Sequence, residues 1–217
     1  MTNFKICEAI KKYRDCIYEK LKNRDHFERY FKITKKYKLR EIDSDFEQAY
    51  AHFYKLNGPG GLSAEQRDLY FTLIKDNSEA NFSAIMRKMY DMPRITKKGV
   101  EQHRLFLSFT TKLLHTKNKE FPIYDSNVAS ILGDLIQVNL GTFEERLQNR
   151  EEIFENLKTR IGVLLNNECI IGHIAKIREY FKKEPYWDDS LISDTKILDS
   201  ILWALYTCQN EKKKNKA

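Results

Sequence analysis

The chain has 217 residues, is 41% hydrophobic, and carries a net charge of +7 at neutral pH. That hydrophobic content excludes a disordered chain, and no apolar run approaches the roughly 20 residues of a membrane span. The N-terminal "MTNFKICEAIKKYRDCIYEK" lacks the apolar centre of a signal peptide, so the expectation is a soluble protein of the cytoplasm.

The charge is segregated. Residues 1–40 hold 13 basic and 5 acidic side chains, residues 87–119 hold 9 and 2, and the tail 210–217 adds a net +3. The intervening stretches are acidic: 3 against 8 over 41–86, and 9 against 15 over 120–209. Clustered positive charge is the footprint of a polyanion partner, although solvated helix faces carry such charge too. Four cysteines, Cys7, Cys16, Cys169 and Cys208, form no CxxC pair. They read as buried thiols in a reducing compartment, with no metal site.

In chain order, residues 4–22 and 27–38 read as two basic helices interleaved with aromatics. "SDFEQAYAHFYKL" opens with Ser44 and Glu47 at capping-box spacing and stops at "NGPGG". "SAEQRDLYFTLI" restarts with Ser63 and Gln66 at the same spacing, and "SEANFSAIMRKMY" forms another helix, ended by Pro93. Thr96–Thr116 reads as one helix with Leu105, Phe106, Phe109 and Leu113 on its apolar face. "DSNVASILGDLI" starts at Asp125, residues 142–183 are helical, "WDDS" opens a further turn, and "SDTKILDSILWALY" is a last apolar helix. The expected architecture is all-α: a basic N-terminal helical extension (1–40), a helical domain (41–209) and a basic disordered tail (210–217).

Two residues stand out. Asp125 sits where an N-cap belongs, after "EFPIY". Lys112 lies 13 positions earlier (125 − 112) at the edge of an apolar helix face. As a structural residue it is a snorkelling lysine. As a functional one it is an amine that desolvation makes nucleophilic, which is how imine-forming lysines arise. The two side chains can converge if His115–Tyr124 folds back tightly.

"SFTTKLLHTKNKEFPIYDSNV" resembles the lysine-to-aspartate segment of the helix-hairpin-helix DNA glycosylases, in the divergent, small bacterial members of the 8-oxoguanine glycosylase-like branch. The closing "SDTKILDSILWAL" resembles their last helix. The resemblance spans about residues 45–205 in helix order and is close only over 112–128. It implies a helix-hairpin-helix fold, Lys112 as the catalytic amine, Asp125 as the catalytic carboxylate, a modified base excised from duplex DNA, an associated lyase step, and no cofactor. The family hairpin is glycine-rich, whereas here only Gly99 is present, with Lys97 and Lys98 as point-charge contacts to phosphate. Expected DNA contacts are Arg94, Lys97, Lys98, Gly99, Arg104, Lys35, Lys36 and Lys38. Phe109, His115 and Tyr124, with Phe106 and Trp203, are the candidates for a pocket around an extruded base. Two other classes stay open: a non-catalytic DNA-binding module, and a helical protein whose basic faces meet an acidic protein partner.

Overall fold

A computed structural model describes residues 2–23, 25–58, 60–76, 81–95, 98–133 and 135–214, with side chains described as far as residue 211. Eleven α-helices lie among the described residues, with one two-stranded hairpin. The all-α reading holds at that level.

The N-terminal segment is three helices rather than two. Thr2 caps α1 (Asn3–Lys12), the chain turns at Tyr13, and α2 (Arg14–Asn23) follows. Asp25, in the left-handed region at φ 47°, redirects the chain into α3 (His26–Lys38). These helices do not stand apart as an extension. Ile6, Ile10, Ile17, Leu21, Phe27 and Tyr30 are buried in one core with Leu198, Ile201, Leu202 and Leu205, and each such side chain contributes roughly 1.5–3 kcal/mol.

The cap of α4 (Ser44–Phe53) is Asp43, not Ser44. Its Oδ1 accepts from the Phe46 amide at 2.8 Å. The carboxylate also takes Lys36 Nζ at 2.9 Å, a pairing that a serine hydroxyl at position 44 could not supply. The NGPGG stop is sterically enforced: a Cβ on Gly61 would meet the Leu56 carbonyl oxygen at 2.1 Å. The Ser63–Gln66 capping box opens α5 (Ala64–Lys75) as expected, and Asn81 caps α6 (Phe82–Tyr90).

The helix expected from Thr96 begins only at Leu107. Where the resemblance calls for a helical hairpin, β1 (Arg94–Ile95) pairs antiparallel with β2 (Glu101–Gln102). The intervening turn includes Gly99 at φ 74°, a conformation that favours glycine and cannot continue a helix. The apolar period therefore applies only to α7 (Leu107–Lys117). Next come α8 (Ser126–Leu132), α9 (Phe143–Leu165) and α10 (Glu168–Phe181). A single 3-10 turn, Asp189–Leu191, precedes α11 (Asp194–Lys214).

The tail expected to be disordered from residue 210 continues α11 as far as Lys214; residues 215–217 lie outside the described residues. Lys20 pairs with Glu211 at 2.8 Å, and Cys16 is bonded to Cys208, so α2 holds this end of α11. The cysteine expectation is corrected with it. Cys7 is bonded to Cys169, and no cysteine is free. Spacing could not reveal pairs 162 and 192 residues apart.

Two hydrophobic cores result. The larger is built by α1–α3 and α8–α11 with Met86 and Leu107, the smaller by α4–α7 with Ile33 and Phe154. Phe53 and Phe82 pack against both.

Candidate functional site

Between the two cores lies a cleft of about 850 Å³. α3 contributes His26 and Arg29 to its lining, and the end of α4 contributes Gln48, His52, Phe53 and Tyr54. Lys55, Asn57 and Gly58 come from the following turn, and Lys112 comes from α7. Asp125, Ser126 and Asn127 come from the start of α8, and Lys196, Asp199 and Trp203 from α11.

Lys112 and Asp125 thus share one cleft, for a local reason. The connection between α7 and α8 is strapped back onto α7. The Tyr124 amide donates to Thr111 Oγ1 at 2.9 Å, and His115 Nδ1 contacts the Phe121 carbonyl at 2.7 Å. The first strap joins the residue before Asp125 to the residue before Lys112. Asp125 caps α8, accepting from the Asn127 amide at 2.8 Å. Its backbone is extended and its side chain half-buried, so the capping carboxylate also borders the cleft.

Lys112 stands in the middle of α7 and is only 9% exposed. Its ammonium donates to the Tyr54 carbonyl at 3.2 Å and lies 5.2 Å from the Phe109 ring centre. Burial lowers its pKa to about 8. Asp125 and then Asp199 oppose that shift, while Lys196 and Lys55 add to it. A lysine with one carbonyl partner and two aromatic neighbours gives up its proton at lower pH than an exposed lysine.

The sequence reading missed a second charged couple. Lys196, 2% exposed, donates to Asp199 Oδ2 at 2.6 Å and lies 5.4 Å from the Tyr30 ring centre. Its only signal was a Lys-x-x-Asp step within an apolar helix. Beside it, His26 hydrogen-bonds Ser200 Oγ at 2.9 Å and stacks on Trp203 with centroids 5.5 Å apart.

The expected base-pocket residues divide. Trp203 lines the cleft. Phe109 is half-buried and flanks the Lys112 amine from its own helix, packed on Phe106. His115 and Tyr124 are corrected to wall residues behind the cleft. His115 is buried between Phe121 and Tyr30, with Nε2 3.0 Å from the Tyr30 hydroxyl. Burial, then Lys196, lowers its pKa to about 3 against the raising effect of the Phe121 carbonyl. Tyr124 spends its hydroxyl on the Leu135 carbonyl. An apolar face shows that such residues are inside, but not on which side of a wall they end.

The expected phosphate contacts fall in two places. Arg94, Lys98, Gly99 and Arg104 are exposed on and beside the hairpin, and Lys97 lies outside the described residues. Arg104 reaches the NGPGG turn, within 3.9 Å of where a Cβ on Gly60 would stand, and Gly58 of that turn borders the cleft. Lys35 and Lys38 line a second groove of about 1090 Å³ with Arg29, Lys32, Lys182 and Trp187. Arg29 belongs to both cavities, so the basic edge of α3 runs from the cleft into this groove. Lys36 is not on that edge, being paired with Asp43. Asp25, Glu28, Asp188 and Asp189 also border the groove and offset part of its charge.

Compared with family models, curated proteins and solved structures, the chain matches none.

Proposed function

We propose that this protein is a DNA N-glycosylase with an associated strand-cleaving step, acting on a modified base through Lys112 and Asp125. One observation carries the reading: a buried lysine of lowered pKa shares a cleft with a half-buried carboxylate. A perturbed amine in such a cleft is a candidate for a functional site. The basic edge of α3 and the exposed cations around the hairpin supply contacts to phosphate on either side.

In this reading the nucleotide leaves the duplex and enters the cleft, with Trp203 and its stacked His26 as the aromatic surface. The neutral Lys112 amine attacks the anomeric carbon. The glycosidic bond breaks, its electron pair leaves with the base, and the base nitrogen takes up a proton. The Asp125 carboxylate stabilises positive charge developing on the sugar. After loss of a proton, the nitrogen of the new secondary amine forms a double bond to the anomeric carbon as the bond from that carbon to the ring oxygen breaks. The ring oxygen takes up a proton, and a protonated imine remains. Removal of a proton from the adjacent sugar carbon then expels the 3′ phosphate, and water releases the lysine.

Borohydride trapping tests this. Duplexes bearing 8-oxoguanine, other modified bases or an abasic site are mixed with wild type and Lys112→Ala. A reduced covalent adduct formed by wild type and lost in the variant is expected. Lys112→Ala should bind the same duplex nearly as well. An adduct undiminished in the variant removes Lys112 from the chemistry. The absence of any Lys112-dependent adduct favours a second reading, a non-catalytic DNA-binding module, which the single glycine of the hairpin turn already suits.

A further inference from the structure

Away from the cleft, the fold assembles three metal-ligating side chains from distant parts of the chain. Cys169 and His173 are one turn apart on α10, so both project from one face of that helix. Cys7 reaches them from α1, 162 residues earlier in the chain. The two sulfur atoms and a ring nitrogen of His173 lie within 4.8 Å of one another. The Nε2 atom of His173 is buried and has no hydrogen-bond partner among the described residues. A buried imidazole nitrogen with nothing to bond is costly, and imidazole nitrogen is a common metal ligand. The second disulfide, Cys16–Cys208, is in no such donor group among the described residues.

We infer that, once the Cys7–Cys169 bond is reduced, Cys7, Cys169 and His173 form a site for a zinc-like divalent ion, with water as the fourth ligand. Two thiolates and one imidazole are the donor set that zinc takes, and three protein ligands leave its tetrahedron one open position. The charges balance, because two thiolates neutralise the ion. A trialkylphosphine with one water converts the disulfide to two thiols and a phosphine oxide. The ion then displaces two protons to solvent. In either state α1 remains tied to α10, by a disulfide when oxidised and by the metal when reduced. This inference does not depend on the glycosylase reading.

The test is a cobalt(II) titration of the full chain, reduced with phosphine and desalted without oxygen. The Cys16→Ser/Cys208→Ser variant serves as parent, so that only the Cys7–Cys169 pair can respond. We expect one cobalt per chain, a thiolate-to-cobalt charge-transfer band, displacement by zinc, and no band before reduction. Cys7→Ser should lose the band, and His173→Gln should weaken binding at least tenfold (about 1.4 kcal/mol per factor of ten). Helix content by circular dichroism checks that each variant is folded. Reduced, folded parent with no charge-transfer band overturns the site. Equal affinity in parent and His173→Gln overturns the assignment of the histidine.

Discussion

Asp125 is a cap in the fold and, in the proposed chemistry, also the carboxylate that faces the sugar. Its carboxylate caps α8, and its position after Tyr124 brings it to the cleft. Substitutions separate the two roles. Asparagine caps about as well as aspartate, whereas alanine costs about 1 kcal/mol. Asp125→Asn should therefore keep the urea midpoint of wild type while lowering the trapping rate by ~10²-fold, the scale of one catalytic group. Asp125→Ala should lose both. An Asp125→Asn protein that traps at the wild-type rate would leave the carboxylate as a cap alone. Lys112 predicts a pH profile. With a pKa of about 8, about a tenth of it is neutral at pH 7, and each unit below that removes a further factor of ten. Trapping at saturating DNA should rise steeply to about pH 8 and then level off; a profile flat from pH 6 to 9 contradicts the neutral amine. His115 has the same kind of shift with a consequence for stability. Its folded pKa of about 3 lies below the ordinary 6.5, so between those values the unfolded chain binds the extra proton. Its contribution is complete above pH 6.5 and falls as the pH drops towards 3. About 2 kcal/mol of it is lost between pH 7 and 5. Urea melts should show this loss in wild type and a smaller one in His115→Gln.

At the scale of elements, the fold-back between α7 and α8 makes the site. Lys112 and Asp125 belong to different helices, and the Thr111–Tyr124 hydrogen bond fastens one to the other. Thr111→Val keeps the shape and removes the acceptor, leaving the buried Tyr124 amide unpaired at a cost of about 1–3 kcal/mol. Displacing Asp125 by even 1 Å should slow trapping by up to ~10²-fold, although Lys112 itself is untouched. Unchanged trapping by a destabilised Thr111→Val protein would mean that the strap serves stability only. The Ser63–Gln66 capping box and the Asp125 cap were legible because capping is a local exchange between a side chain and an amide within three residues. Thr96–Thr116 was misread because the apolar period of α7 was extended backwards through a turn. Gly99 at positive φ was the local sign of that turn. The split at Tyr13 had no glycine or proline to mark it.

At the scale of the whole molecule, charge that is segregated along the chain is only partly segregated in space. The basic N-terminal block contributes one continuous edge, Arg29, Lys32, Lys35 and Lys38, beside a groove that carries four acidic residues as well. Each lysine that contacts a phosphate adds about 0.9 to the slope of log affinity against log salt. Replacing Lys32, Lys35 and Lys38 with glutamine should lower that slope by roughly 2–3 for duplex DNA while sparing the borohydride adduct at low salt. An unchanged slope would move the DNA path to the hairpin side, around Arg94, Lys98 and Arg104. The three N-terminal helices cannot be removed to test this, because they form part of the larger core.

Read alone, the amino-acid order identified the helical character of most of the chain, the caps at Ser63 and Asp125, the stop at NGPGG, and the two residues on which the proposed chemistry rests. These are local properties: a period, a cap, a glycine where no Cβ fits, a lysine on the edge of an apolar face. Which buried side chains face the cleft and which lie behind it follows from the packing of the helices. That packing alone brought Lys196 and Asp199 beside Lys112, turned His115 and Tyr124 into wall residues, and set Cys7 against Cys169 and His173. Those outcomes depend on how helices far apart in the chain pack together, and periodicity tells that a side chain is buried without telling what it is buried against.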